Sequence, residues 1–321
     1  MALAIANSAA EWVERLAELR KPTIVTIGNF DGIHLGHQKI LNGVLERARA
    51  TDLMAAVLTF YPHPSRVLRP ETAPALLATL KQRLSGFEAA GTDAALVMRF
   101  DVELAKVSAE DFVRKYLVEI LRARAVMVGG TFKFGHRQAG DVKLLEDLGL
   151  RWNFEVHVVP PVVADGVVVS SSAVREALGE GRVEDAARLL GRPFALEGEI
   201  RPGTGQGRKL VVPTLNLATE QECLPKNGVY ATQTLVEGKT YQSATNIGVR
   251  PTFNGTRLAI ESHLFDFNEN LARGQMAVRF YCRLRDEQKF ASTEALKEQV
   301  LKDIDRAKEY FRMQGTTDKH G

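Results

Sequence analysis

The chain has 321 residues, 45% of them hydrophobic and 25% charged, proportions of an ordinary globular protein long enough for two domains with a core in each. Its 42 Lys and Arg against 39 Asp and Glu leave a net charge of only +3, and no basic run resembles a nucleic-acid tail, so any anionic ligand is expected to be small and held locally. No apolar stretch is long enough for a membrane span. Its cysteines, Cys223 and Cys282, form neither a disulfide framework nor a metal-ligand spacing, which suits a reducing compartment and a cytoplasmic location.

The opening segment, through Pro22, carries Glu11, Glu14 and Glu18 and reads as one amphipathic surface helix, without the basic start of a signal peptide. Runs at 23–27 (TIVTI), 55–60 (AAVLTF), 94–100 (AALVMRF), 125–129 (AVMVG) and 154–159 (FEVHVV) predict strands, and 36–50 and 109–123 place apolar residues at helical spacing between them. Such alternation implies parallel βαβ units, a Rossmann-like α/β half whose ligands sit beyond the carboxyl ends of the strands.

After Ser170 the pattern changes. A helical stretch, 172–191, leads to Arg192-Pro193, and short alternating runs follow at 194–200, 228–236, 240–248, 257–267 and 276–284, separated by joints rich in Gly, Pro and Asn. These predict an antiparallel module, a small closed β-barrel. Leu296, Val300 and Ile304, at four-residue spacing, predict an amphipathic C-terminal helix. The expected domains are 1–185 and 186–321.

The stretch GNFDGIHLGH, from Gly28 to His37, follows the first strand directly. Gly28 lets the backbone turn and approach a ligand, while Gly32 and Gly36 keep the turn and the first helical residues free of bulk. A helix starting near His34 offers unpaired N–H groups and a positive dipole end to an anion. His34 and His37, at i and i+3, then share one face and can donate to charge building on a phosphoryl group. Structural histidines or half of a zinc site would use the same spacing, although no third zinc ligand stands at a familiar distance. A Walker A loop is excluded by the absence of Gly-Lys-Ser/Thr.

Four further segments carry candidate chemistry. In TFYPHP, Pro62 and Pro64 hold His63 in a rigid loop at the sheet's carboxyl edge, or the segment is a plain turn. In VSSSAVREAL, Ser171 or Ser172 can cap a helix that projects Arg175 from its first turn, or the segment is a plain capped surface helix. GTGQGRKLVVPTLNL joins a glycine loop containing Gly207 and Arg208 to Thr214 and Asn216, two neutral oxygen donors suited to Mg²⁺, or forms an ordinary hairpin and strand. In RLAIESHLFDF, Leu258, Ile260 and Leu264 share one strand face, and Glu261, His263 and Phe265 share the other.

Taken together, GNFDGIHLGH, LTFYPHP, VGGTFKFG, SSSAVREAL, VPTLNL, NIGVRPTF and IESHLFDF stand in the order found in the bacterial bifunctional riboflavin kinase/FAD synthetase family, which the chain resembles along nearly its whole length. The resemblance implies a nucleotidyltransferase domain followed by a riboflavin kinase barrel, acting on riboflavin, FMN and ATP to give FAD, with Mg²⁺ accompanying ATP. It assigns Glu261 as base on the ribityl hydroxyl and Thr214 and Asn216 to phosphates and metal. Gly28, Asn29, Phe30, Asp31, Gly36, His63, Ser171, Ser172, Gly207 and Arg208 are assigned to nucleotide or flavin binding, and His34, His37 and Arg175 to adenylyl transfer. Thr131, Gln138, Val211 and Val212 depart from the family pattern. Two other readings stay open: a relative using another phosphate-bearing substrate, and a flavin-binding or regulatory protein lacking one activity.

Overall fold

The computed structural model describes residues 2–16, 21–202, 212–252, 255–267, 269 and 271–317, with side chains described outside 250–257 and 315–317. The chain divides into two units, residues 1–171 and 172–321. The first unit runs β1 (Ala4–Ala6), α1 (Ala9–Leu16), β2 (Thr23–Ile27), α2 (Leu35–Thr51), β3 (Met54–Tyr61), α3 (Pro64–Leu68), α4 (Leu80–Ala90) and β4 (Ala94–Arg99). It continues through α5 (Val102–Ala105), α6 (Ala109–Phe112) with a π-helical extension to Ile120, β5 (Ala123–Gly129), α7 (Val142–Trp152), β6 (Glu155–Val159) and a hairpin of β7 (Val163–Ala164) and β8 (Val167–Val168).

Its main sheet has the order β1-β4-β3-β2-β5-β6, with every neighbouring pair parallel. Alternation along β2 sends Val25 and Ile27 into one apolar layer with Trp12, Leu58, Leu96 and Val126, and Ile24 into another under α2 with Val44 and Ala125. Burial on both faces explains why β3 and β4 read as nearly unbroken apolar runs. After β2 the chain builds β3 and β4 on one side and β5 and β6 on the other, so the carboxyl end of β2 is the point where strand order reverses. One expectation fails here. The opening segment is not a single surface helix, because Ala4–Ala6 adds an edge strand beside β4 and Trp12 of α1 is buried in the core. Three residues, Ala4-Ile5-Ala6, carry too little periodicity to announce a strand that exists only through its pairing.

The second unit comprises α8 (Ser171–Glu180), which starts at its boundary, α9 (Val183–Leu190), β9 (Phe194–Arg201), β10 (Leu215–Thr219), β11 (Gly228–Val236), β12 (Lys239–Thr252), β13 (Gly255–Leu264), β14 (Gln275–Asp286) and α10 (Thr293–Thr317). The six strands close a barrel in the order β10-β13-β12-β11-β14-β9, through antiparallel pairs. Short β10 closes it between β9 and β13. Buried hydroxyls occupy part of the interior. Thr232 Oγ1 meets Ser243 Oγ at 2.8 Å and Thr245 Oγ1 at 2.6 Å, and Thr245 Oγ1 meets Ser262 Oγ at 2.7 Å, so these polar groups are paired where water is excluded.

α10 packs Ile304, Ala307 and Phe311 against Val229, Ala231 and Leu284, with Val300 at the margin. A buried ion pair fixes it further: Arg285 Nε donates to both Asp303 oxygens at 2.9 Å and its Nη2 to Oδ2 at 2.7 Å, while Gln299 Nε2 adds 2.9 Å to Oδ1. Asp303→Ala is expected to cost the barrel unit about 3–5 kcal/mol, because it leaves a buried guanidinium without its partner. Both tryptophans, Trp12 and Trp152, lie in the first unit, so a urea titration of the whole protein followed by hydrogen exchange of the barrel amides checks this. A change below about 1 kcal/mol would mean that the pair behaves as a solvated surface contact.

Candidate active sites

The turn after β2 carries three left-handed residues, Phe30 at φ +51°, Gly32 at +84° and Ile33 at +43°. Only Gly32 adopts this region without cost, so the other two mark a strained loop at the strand-order reversal. His34 is the N-cap of α2, and its Nδ1 accepts from the His37 N–H at 3.3 Å. The two imidazoles lie face to face, with centroids 3.7 Å apart and planes 17° from parallel. Gly36 lies beside the His34 ring, where a Cβ would sit 3.2 Å from Nδ1 and Cε1. The capping bond leaves His34 Nδ1 unprotonated.

Burial, reinforced by His34, holds the His37 imidazole well below its ordinary value. His37 is therefore neutral at pH 7 and donates through a single ring N–H. The folded state resists a proton that the unfolded chain accepts near pH 6.5, so the contribution of His37 to stability is complete above pH 6.5 and falls as the pH drops below it. The urea midpoint of the wild type is expected to fall more steeply between pH 6.5 and 5 than that of His37→Gln. Parallel slopes would place His37 in contact with solvent.

Three buried polar atoms around this turn, Thr26 Oγ1, Asn29 Oδ1 and His37 Nδ1, have no hydrogen-bond partner among the described residues. Native structures rarely leave such atoms unpaired unless a ligand or water meets them. Asn29, Gly28 and Ile27 open onto a cavity of about 740 Å³ walled by Phe60, Phe112 and Phe132, with Lys106 and Arg137 at its edge. Phe132 and Phe134 stack at 5.4 Å and 14°. Gln138 lines the cavity, whereas Thr131 is exposed and outside its wall. Apolar rings with a few converging polar groups suit a flat heteroaromatic ligand carrying an anion.

Other sequence-selected residues hold this turn in place. Both Asp31 carboxylate oxygens accept from backbone, at 3.2 Å from Leu77 N and 3.0 Å from Ala78 N. Ser171 begins α8, and its Oγ donates to the Asp31 carbonyl at 2.9 Å. His63 caps α3, accepting from Ser65 N at 3.2 Å. Ser172, exposed, and Arg175, half-buried, lie further along α8 in the second unit. Arg83 escaped the sequence reading. Its guanidinium is buried and donates to the Asn29 carbonyl at 2.8 Å, Thr59 Oγ1 at 3.1 Å and the Phe60 carbonyl at 3.3 Å, joining the turn to the end of β3. A lone arginine on a helix gives no sequence signal of this.

In the second unit, register aligns Asn216 of β10 with Glu261 of β13, and Glu261 with Asn246 of β12. Cross-strand partners project to the same side, so these polar side chains form one row. Glu261 and Asn246 line a pocket of about 360 Å³ with Thr214, His263, Arg285 and Asp303. His263 Nδ1 donates to the Pro213 carbonyl at 2.8 Å, tying down the segment that presents Thr214. Ile260, Ser262 and Leu264 point into the barrel as the alternation requires, but Leu258 is exposed and Phe265, past the strand end, is buried under α10. Gly207, Arg208 and Val211 lie outside the described residues. Among the described residues no cluster of three His, Cys, Asp or Glu side chains could hold a metal. A hard cation here would therefore rely on neutral donors such as Thr214 and Asn216 and on phosphate oxygens.

Residues 16–173 match the FAD synthetase family and residues 190–311 the riboflavin kinase family. Curated relatives called bifunctional riboflavin kinase/FMN adenylyltransferase include that of Escherichia coli K12, 37% identical with 90% of this chain and 92% of the relative covered. That of Pseudomonas fluorescens is 40% identical over 88% and 90%, and that of Buchnera aphidicola from Schizaphis graminum is 32% identical over 94% and 98%. The chain belongs to the bifunctional riboflavin kinase/FMN adenylyltransferase family.

A crystal structure described as a macrolide-efflux protein from Streptococcus pneumoniae superimposes with a TM-score of 0.83 at 27% identity, covering 90% of this chain and 94% of that one. Among the described residues here, no helix is long and apolar enough to cross a membrane. The FAD synthetase match contains the histidine pair and the aromatic cavity, and the riboflavin kinase match contains the Asn216–Glu261–Asn246 row. Asn246 was missed because only strand register, not local spacing, sets it beside Glu261.

Proposed function

We propose that this enzyme phosphorylates riboflavin with ATP to give FMN and then adenylylates FMN with a second ATP to give FAD and pyrophosphate. The observation that carries the reading is that one chain holds two separate polar constellations, the stacked His34–His37 pair and the Glu261 row, one in each unit. In the barrel, the Glu261 carboxylate accepts the proton of riboflavin's terminal hydroxyl as its oxygen bonds to the γ-phosphorus and ADP departs. Thr214 and Asn216, with Gly207 and Arg208 from the glycine-rich sequence before them, hold phosphates, and Thr214 and Asn216 would hold Mg²⁺, which supplies charge neutralisation when bound with ATP.

In the first unit an FMN phosphate oxygen attacks the α-phosphorus of ATP and pyrophosphate leaves. The nucleophile is already anionic, so no base is needed. His34, His37 and Ser171 position the phosphates and stabilise developing charge, Gly28, Asn29, Phe30, Asp31 and Gly36 shape the loop around the nucleotide, and His63 completes its surroundings. We place the enzyme in the cytoplasm, where Cys223 and Cys282 stay reduced; burial and Glu184 push the Cys282 thiol up to about 12, leaving it inert. Incubation with riboflavin, ATP and Mg²⁺, followed by chromatography of the flavins, tests the reading. FMN should rise first and FAD follow; riboflavin left untouched would remove the kinase, and FMN accumulating alone would remove the adenylyltransferase.

A further inference from the structure

Gly86 lies inside α4, where glycine is a poorer helix former than alanine. Its backbone does not call for glycine, since its φ is not positive. Its neighbour does. A Cβ at position 86 would overlap Ile33 Cδ1 and stand 3.5 Å from Cγ1. Ile33 is the left-handed, β-branched residue directly before the N-cap His34, a conformation that persists only where surroundings impose it. It packs in a buried cluster with Phe30, Leu41, Val57, Phe87 and Ala95, so its terminal methyl cannot swing aside without disturbing a filled core.

The same helix face grips the rest of the turn. Arg83 bonds the Asn29 carbonyl, and Phe87 meets Phe30 edge-on at 5.2 Å and 86°. Arg83, Gly86 and Phe87 stand at i, i+3 and i+4 and share one side of α4. Immediately before the helix, the Leu77 and Ala78 amides hold Asp31. The turn between β2 and α2 is thus moulded against α4, and Gly86 supplies a socket in that mould for Ile33.

We propose that Gly86 is a positioning residue for adenylyl transfer: the socket left by its missing side chain keeps Ile33 left-handed and thereby sets how His34 and His37 enter the first turn of α2. This rests on the adenylyltransferase reading of the first unit. The test compares the full-length wild type with Gly86→Ala, Ile33→Val and the double variant, measuring FAD formation from FMN and FMN formation from riboflavin in the same preparations. In Gly86→Ala, kcat for FAD formation is expected to fall about tenfold or more, with KM for ATP and FMN within about twofold and riboflavin phosphorylation unchanged. In the double variant Cδ1 is gone, so kcat should return to within about threefold of Ile33→Val alone.

A loss through helix stability would not follow this pattern, because alanine strengthens the helix. The inference is overturned if Gly86→Ala makes FAD within about twofold of wild type, or if Ile33→Val brings no recovery. Should both activities fall together in Gly86→Ala, recovery in the double variant decides in the same way. A wild type that makes FMN but no FAD would sink the adenylyltransferase reading itself, before any variant is compared.

Discussion

His37→Ala is expected to lower conversion of FMN to FAD by about 10²–10³-fold, the range seen when one preorganised donor to a developing oxyanion is lost, while leaving riboflavin phosphorylation intact. The neutral His37 ring sits at the amino end of α2, 3.7 Å from His34, and its buried Nδ1 lacks a partner among the described residues. A donor held this way needs no reorganisation when charge builds on the α-phosphoryl group. The helix survives the change, since its cap is supplied by the His34 side chain and the His37 backbone N–H remains. Timed separation of FAD from FMN, run beside the kinase assay on the same sample, measures both. Equal loss of the two activities would show that the histidine pair does not serve a separate site.

The complementary variant is Glu261→Gln. It keeps the shape of the Asn216–Glu261–Asn246 row and the pocket wall, yet an amide cannot accept the hydroxyl proton of riboflavin at neutral pH. FMN formation should fall by about 10²–10⁴-fold, the usual contribution of a positioned general base, with KM for riboflavin little changed and FMN adenylylation as in the wild type. A loss below about fivefold would leave Glu261 as a hydrogen-bonding wall residue and move the search for a base to His263 or Asp303, which line the same pocket. Together the two variants separate the activities by unit, because each leaves the other site's residues untouched.

By itself the sequence determined the sheet strands from β2 to β6, five of the six barrel strands, the C-terminal helix and the place of the histidine turn, because each of these rests on period-2 or period-3.6 patterning or on residues adjacent in the chain. Only tertiary structure decided the rest. β1 exists through its pairing with β4, and β10 through its position between β9 and β13. The resemblance assigns Asp31 to nucleotide or flavin binding, and only the fold brings its carboxylate to two backbone amides far along the chain. Arg83 and Gly86 bear on a turn more than fifty residues away, and Asn246 reaches Glu261 only across a strand pair. Local spacing records which face of an element is apolar; it does not record what that face meets, since register and packing are fixed by distant residues filling the same space.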